Sequence, residues 1–367
     1  MLRGASVLLL AVFCVVACGA SGSGAGSALT PTATPDVGAG ALHGAGATFP
    51  APFYQKAFDT YQKANPKVTV AYDAVGSGTG IQRFTQQAVD FGASDVPLKP
   101  DEITASGGEG ALVEFPATVG VVAIAYNLPG LDNLKLDGPT VADLFLGKVK
   151  RWDDPEIKRL NPESNLPGRT VSVAHRSDGS GTTYAFTDYL SKVSDEWKTK
   201  VGTGKTVTWP TGAGGNGNPG VAQLVQATQG GVAYVELAYV VQAGLQAALL
   251  RNRAGNFIQP TPAGGTAAAA ALIGISPSSN FSITDGDGTE VYPIASFSWV
   301  LVRRAQPDIT KARALVYMWR WMITDGQRFA TDLLYAPLPT DARNFGLVQL
   351  TKITSGDKPV IPYLAAD

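Results

Sequence analysis

Residues 119–127, VGVVAIAYN, restrict the fold of this chain more than any other stretch of its sequence. The run is apolar up to its last residue and has the length of a strand, without the alternating polar positions of a half-exposed strand. Such a run is typical of a strand that is covered on both faces. We therefore predict a strand here that is buried on both of its sides.

Strand and helix patterns alternate along the rest of the chain. Strands are predicted at residues 68–72, 170–176, 231–240 and 296–304. Helices are predicted where apolar residues recur at three- and four-residue spacing, which is the case for Ile81, Phe84 and Ala88, for Phe186, Tyr189, Leu190, Val193 and Trp197, and within residues 311–323. This order predicts an α/β architecture with largely parallel sheets. No repeat, coiled coil or membrane span is indicated after residue 18.

The first 18 residues have the pattern of an export signal. Arg3 precedes the run VLLLAVFCVVA, which is too short to span a bilayer comfortably, and the run ends at Ala17, Cys18 and Gly19. This ending resembles a bacterial lipobox, where cleavage leaves a cysteine that carries palmitate or a similar lipid; a plain secretory signal cut nearby is the alternative. Both cysteines, Cys14 and Cys18, lie in this segment, so the exported part has neither thiols nor disulfides.

Residues 19–43 are small, polar and nearly uncharged, and they show no apolar periodicity. This composition predicts a flexible tether, with His43 at its end. A tether between a lipid anchor and a folded domain is useful outside the membrane, so we expect an extracytoplasmic protein on the periplasmic side or the cell surface. The net charge of −1 gives no basic field to attract nucleic acid, so a bound anion must be held by local geometry.

Three Gly-rich loops, at residues 44–52 (GAGATFPAP), 76–80 (GSGTG) and 176–182 (RSDGSGT), each precede a predicted helix. Each combines glycines with a Ser or Thr hydroxyl, and no acid follows Ser180 in the first turn of its helix. A helix start has free N–H groups and a partial positive charge, so such a loop can bind an oxyanion. A plain N-cap is the alternative for any one loop, and the hypothesis depends on all three together with Arg176.

Other chemistries find less support in the sequence. Ser180 is near His175 in the chain, but His175 is predicted on a strand and no GxSxG elbow surrounds the serine, which disfavours a hydrolase. The loop 211–220 (TGAGGNGNPG) has no nucleotide-binding spacing and is interpreted as a long structured turn. With two histidines and no cysteine outside the signal, we expect no metal site, and DGDGTE (residues 285–290) is interpreted as a surface turn.

Several long segments together closely resemble the phosphate-binding protein (PstS) family of bacterial high-affinity phosphate ABC transporters. They are GAGATFPAPFYQKAFDTYQ, DFGASDVPL, LGKVKRWDDPEI, RSDGSGT and VGTGKTVTWP, and the resemblance runs from about Gly44 to near the C-terminus. It implies the two-domain periplasmic-binding-protein fold (type II), with a hinge that the chain crosses twice. Domain I would comprise residues 44–118 and 293–367, and domain II residues 119–292.

The resemblance also implies a set of phosphate contacts. They are Thr48, the Phe49 N–H, Ser77, Asp95, Arg176, Ser180, the Gly181 N–H and Thr182. Asp178 would pair with Arg176 and orient its guanidinium. At Gly78 the family often has a serine, so this chain departs from the family pattern there, whereas Ser77 itself is kept.

The function implied is that of a lipid-anchored, monomeric receptor that binds inorganic phosphate between its domains and delivers it to an ABC permease, without enzymatic activity or cofactor. An extracellular phosphatase and a receptor for sulfate or molybdate are the alternatives. Asp95 argues against sulfate, because an ionised carboxylate only accepts hydrogen bonds and can pair with the P–OH of phosphate.

Overall fold

The computed structural model describes residues 36–270 and 282–361. The predicted signal segment, the lipidation site at Cys18 and most of the predicted tether lie outside the described residues. Among the described residues, no helix combines the length and the apolar character needed to cross a bilayer.

Strands and helices alternate through most of the chain, as the sequence pattern predicts. The strands are β1 (Gly40–Gly46), β2 (Val68–Ala74), β3 (Phe91–Ser94), β4 (Leu112–Tyr126), β5 (Lys135–Leu136), β6 (Ser172–Arg176), β7 (Ala213–Gly215), β8 (Gly231–Glu236), β9 (Gln246–Ala247), β10 (Leu249–Arg251), β11 (Phe257–Ile258), β12 (Ala295–Arg303), β13 (Ala305–Gln306), β14 (Thr354–Ser355) and β15 (Lys358–Pro359). The helices are α1 (Ala51–Ala64), α2 (Ser77–Thr85), α3 (Pro100–Ala105), α4 (Gly138–Phe145), α5 (Pro155–Leu160), α6 (Gly181–Val193), α7 (Asp195–Lys200), α8 (Gly217–Ala227), α9 (Leu237–Gln242), α10 (Pro262–Ala270), α11 (Ile309–Ile323) and α12 (Thr340–Thr351).

The main sheet has the order β2-β1-β3-β12-β4-β8-β6-β7, with β9 also paired to β4. Within each end of the sheet, neighbouring strands pair in parallel (β2, β1 and β3 at one end, and β8, β6 and β7 at the other). In the middle, β12 runs antiparallel to both β3 and β4, and β4 runs antiparallel to β8. The prediction of largely parallel sheets is therefore wrong for the middle of the sheet. Alternation of strands and helices does not reveal that a strand from late in the chain inserts between two early ones.

The long strand β4 links the two parts of the sheet. Its residues 112–121 pair with β12, and residues 122–126 pair with β8 on the other part. Every residue from position 115 to 126 is buried, so the prediction of a doubly covered strand at residues 119–127 is confirmed as far as Tyr126, where β4 ends.

The predicted tether ends earlier than residue 43. β1 begins at Gly40, and His43 pairs with Ala71 of β2, so His43 belongs to the fold. Because Gly and Ala dominate β1, it has no apolar alternation that would reveal a strand. What fixes its conformation is backbone pairing with β2 on one side and β3 on the other.

Two predicted segments change secondary structure along their length. Residues 231–240 form a strand only as far as Glu236, whose side chain accepts the N–H of Ala238 and so begins α9. Residues 211–220 are not a turn but contain β7 and the start of α8. The sequence pattern of neither segment shows at which residue pairing with a neighbouring strand stops and a helix begins.

Two predicted helices have other boundaries. The helix predicted from Ile81 begins at Ser77, so the GSGTG loop forms its first turn, and Ala88 lies beyond its end. Trp197 belongs to the separate helix α7, because Ser194 accepts the N–H of Trp197 and caps a new helix.

Candidate functional site

The N-terminal ends of α2 and α6, with the residues just before them, face each other in direct contact. The Gly78 N–H donates to the Gly179 carbonyl at 2.8 Å, and the Gly181 N–H donates to Ser77 Oγ at 3.2 Å. Gly76, with a φ of +88°, lies so close to Asp178 that a Cβ there would be 2.2 Å from Oδ2. The second and third loops of the predicted set are therefore packed together, and glycine is needed where their backbones approach.

The loop before α1 is held by its carbonyl groups. The Tyr239 hydroxyl donates to the Thr48 carbonyl and the Tyr335 hydroxyl to the Phe49 carbonyl, both at 2.7 Å. Since the C=O and N–H of one trans peptide unit point in opposite directions, the Tyr239 bond aims the Phe49 N–H away from Tyr239. That N–H has no acceptor within the described part of the chain, so it is available to a ligand.

Arg176 is buried at the end of β6 and is fixed by Asp178. Its Nε donates to Asp178 Oδ1 at 2.7 Å and its Nη2 to Oδ2 at 2.5 Å, a bidentate pair. Burial alone would raise the pKa of Asp178, but hydrogen bonds and the charge of Arg176 outweigh burial and lower it. The Gly217 N–H also donates to Asp178 at 3.1 Å. The predicted pairing of Asp178 with Arg176 is thus present.

Ser180 is the N-cap of α6, as predicted, and its Oγ accepts the Thr183 N–H at 3.1 Å. The first turn of α6 contains no acid. His175 stacks on Trp209 with 4.7 Å between ring centroids, and its Nδ1 lies 3.1 Å from the Arg176 carbonyl. Among the described residues no histidine is hydrogen-bonded to Ser180, so the serine has no histidine that could act as its general base. Its oxygen caps the helix, and its hydroxyl hydrogen remains available to a ligand.

Asp95 is the acid of the site. Its Oδ1 accepts the Ser298 hydroxyl at 2.6 Å, while its buried Oδ2 has no partner among the described residues. Burial raises the pKa of Asp95 to about 7, although the Ser298 hydrogen bond and the charge of Arg176 act to lower it. A buried acceptor without a donor is costly, which indicates that a ligand supplies the missing hydrogen.

The structure brings together all the residues predicted from the resemblance, and most of them are nearly inaccessible to solvent. Thr48, Phe49, Ser77, Asp95, Arg176, Ser180 and Thr182 are each at most 5% exposed. Gly181 is also buried, and a Cβ on it would be 2.4 Å from Asp95 Oδ2. The site is closed, and it joins loops that lie far apart in the chain.

Sequence reasoning missed Asn218, Glu236 and Ser298. Asn218 lies in the first turn of α8, where the loop interpreted as a turn in fact leads into a helix. A sequence signal for Asn218 was present, because residues 214–218 (GGNGN) are a Gly-rich stretch at the start of a helix, like the other three loops. Glu236 and Ser298 are on strands, and nothing in the local sequence indicates that they reach the site.

Comparison with known proteins identifies the family of this chain. Residues 30–319 match the family model described as a PBP superfamily domain. The phosphate-binding protein PstS of Pasteurella multocida is 42% identical over 309 residues, which are 82% of this chain and 87% of that protein. Phosphate-binding protein PstS 2 of Mycobacterium tuberculosis is 34% identical over 355 residues, covering 92% and 94%.

Solved structures show the same fold. A phosphate binding protein from Stenotrophomonas maltophilia is 20% identical, with a TM-score of 0.62 over 83% of this chain and 92% of that one. The architecture is thus the mixed α/β, two-domain fold of periplasmic binding proteins. Together, the family model and the full-length relatives show that this chain belongs to the PstS family of substrate-binding proteins.

Proposed function

We propose that this protein is a receptor that binds inorganic phosphate in the closed site and delivers it to an ABC permease. The hydroxyls of Thr48, Ser77, Ser180 and Thr182, the N–H groups of Phe49 and Gly181, and the Arg176 guanidinium would donate to its oxygens, while Asp95 would accept. Gly181 would share its N–H between Ser77 and the ligand. Relatives of similar length named for phosphate binding support this assignment.

The observation that carries the proposal is the buried Oδ2 of Asp95, which has no hydrogen-bond donor among the described residues. Around it, Arg176 and the start of α6 favour an anion, whereas Asp95 Oδ2 requires a hydrogen-bond donor. Inorganic phosphate satisfies both demands near neutral pH, because it is anionic and, after its second ionisation, still carries the proton that only the third ionisation removes. Sulfate offers no such hydrogen and would place two negative groups against each other.

Closure of the two sides of the cleft around phosphate would link binding to transport. A ligand that contacts loops on both sides of the cleft stabilises the closed form, and a permease that recognises this form would accept phosphate only from loaded receptors.

We place the domain boundaries at residues 118/119 and 292/293, and we expect a monomer.

Isothermal titration of the purified protein, freed of phosphate by partial unfolding and dialysis, tests the function. We expect saturable binding of phosphate with one site per chain, and none of sulfate at pH 8. Absence of phosphate binding would refute the proposal. Release of product from a chromogenic phosphomonoester, abolished by Ser180→Ala, would support a phosphatase instead.

Attachment through a lipidated Cys18 is a separate proposal, which draws on the lipobox-like sequence alone. Cys18→Ala should leave the signal uncut or release the protein from the membrane, because a lipid is the contact expected once the apolar run is removed. Fractionation at high salt, with the N-terminus of each product determined by mass spectrometry, measures this. A processed Cys18→Ala protein that remains in the membrane fraction would contradict lipid anchoring.

A further inference from the structure

Asn218 occupies the centre of a hydrogen-bond network in the site. Its side chain is buried in the first turn of α8. Its Nδ2 donates to Thr48 Oγ1 at 3.0 Å and to Thr182 Oγ1 at 3.1 Å, and its backbone N–H donates to Thr48 Oγ1 at 3.2 Å. Its Oδ1 accepts the Glu236 N–H at 3.0 Å. Every hydrogen-bonding atom of the side chain therefore has a partner.

The Glu236 bond fixes which way the amide points. A backbone N–H can only donate, so the atom of Asn218 that faces Glu236 must be the oxygen. The amide nitrogen is then forced to face the two threonines. The side chain cannot rotate by half a turn without placing its NH₂ group against the Glu236 N–H, which would leave two buried donors unpaired.

This orientation determines what the two threonine hydroxyls can do. A hydroxyl has two acceptor positions and one hydrogen. Thr48 Oγ1 receives two N–H groups from Asn218, and Thr182 Oγ1 receives one from Asn218 and one from Arg176 Nη1 at 3.3 Å. With the acceptor positions of both oxygens filled, only the hydroxyl hydrogens remain for a ligand.

We propose that Asn218 is a positioning residue that makes Thr48 and Thr182 obligatory donors and thereby tunes the site for an oxyanion. The inference rests on the proposed binding of phosphate and deepens it. Without Asn218, each hydroxyl could turn its lone pairs toward the anion, which repels them. The same amide connects the loop before α1 with the start of α6, so it acts on two contacts at once.

Substitution of Asn218 by Asp tests this directly, since the carboxylate has nearly the same shape but only accepts. Its oxygens would draw the threonine hydrogens away from the ligand. We expect phosphate affinity to fall about 100-fold or more at pH 8, and the deficit to shrink at pH 5 as the new carboxyl binds a proton. A deficit that is independent of pH would contradict the proposal.

A double-mutant cycle separates positioning from general structural damage. Asn218→Ala alone should weaken phosphate binding about tenfold. In a protein that carries Thr48→Val and Thr182→Val, the same change should alter affinity less than about twofold, because no hydroxyl is left to orient. Additive effects would overturn the inference.

Asn161 provides a matched control. It is also buried, its Nδ2 donates to the carbonyls of Lys135 and Ile157, and its Oδ1 accepts the Lys135 N–H, away from the site. Asn161→Ala should lower the melting temperature without changing phosphate affinity. If Asn161→Ala weakens binding as much as Asn218→Ala does, the effect is structural and the inference fails. If the wild-type protein does not bind phosphate, the proposed function itself fails.

Discussion

The two sides of the cleft contribute opposite chemistry. The side of α6 provides the positive charge, since Arg176 is locked by Asp178 and lies beside a helix start that contains no acid. The side of α1, α2 and β3 provides hydroxyls and one acid, Asp95, with an unsatisfied oxygen. In the proposed receptor, attraction for an anion and selection among anions would therefore reside in different parts of the molecule, and each could be altered separately.

Removal of the selective acid should have the largest effect. Asp95→Asn can donate as well as accept, so we expect it to bind sulfate and to change the phosphate-to-sulfate ratio of affinities by up to about 10⁴. Calorimetric titration with both anions measures the ratio. Asp137→Asn is the control, because Asp137 is also a buried aspartate but caps α4 and pairs with Arg251. If Asp95→Asn still excludes sulfate, Asp95 is not the selector.

Removal of the positive charge should weaken phosphate and its analogues alike. Arg176→Ala is expected to cost at least about 2 kcal/mol of binding free energy, because a charge-assisted contact in a dry site is lost. Arg176→Lys should restore part of it, since Lys lacks the planar fork. Titration of both variants tests this, and Arg251→Ala, at a partly exposed arginine, should bind normally. An unchanged dissociation constant for Arg176→Ala would remove it from the site.

The pH dependence of sulfate binding tests selection without a mutation. Burial raises the pKa of Asp95 to about 7, so the fraction that carries a proton increases as the pH falls toward that value. Protonated Asp95 can donate to sulfate, and sulfate affinity should improve about tenfold per pH unit between pH 9 and 7, then level off. Phosphate affinity should vary less, because phosphate brings its own proton. A sulfate affinity that does not change from pH 9 to 6 would contradict this assignment.

The smallest expected effect concerns a contact that joins the two sides at the rim of the cleft. Lys205 forms an ion pair with Glu102 of α3, and the Lys205 carbonyl accepts the Ser180 N–H at 2.9 Å. Lys205→Ala should speed phosphate release about twofold to fivefold, since pairs of this kind contribute about 1 kcal/mol or less. Stopped-flow fluorescence measures release, with Lys148→Ala as the control for the loss of a lysine that pairs with Asp143 and Glu196. Equal rates would show that the pair does not hold the cleft closed.

Local sequence predicted the parts of the site that depend on local backbone rules. Ser180 is the N-cap of α6, the loop that contains Thr48 leads into α1, and Ser77 begins α2, because glycines and hydroxyl residues before an apolar stripe favour a helix start. The assignment of Thr48, Ser77 and Asp95 to phosphate came from the family resemblance and stays a prediction. What the structure adds is that these loops are in contact.

The residues that local sequence could not predict act through tertiary pairing. Asn218 lies in a Gly-rich stretch that looks like a turn, and only the fold places it between Thr48 and Thr182. The reversed direction of β12 and the early start of β1 are also set by neighbouring strands. Helical periodicity and capping residues indicate where an element lies, but not which neighbour completes it.

The position of β12 in the sheet has a consequence for the order of folding. Asp95 takes its orientation from Ser298, which is 203 positions later in the chain and next to a β-bulge between Ser298 and Trp299. Because β12 must insert between β3 and β4, the earlier strands cannot complete the sheet before residues 295–303 have been made and placed. The hydrogen bond that orients Asp95 is therefore made late, after the costly long-range contacts have formed. A chain that stops before β12 would lack both the Ser298 hydroxyl that holds Asp95 and the strand that joins β3 to β4.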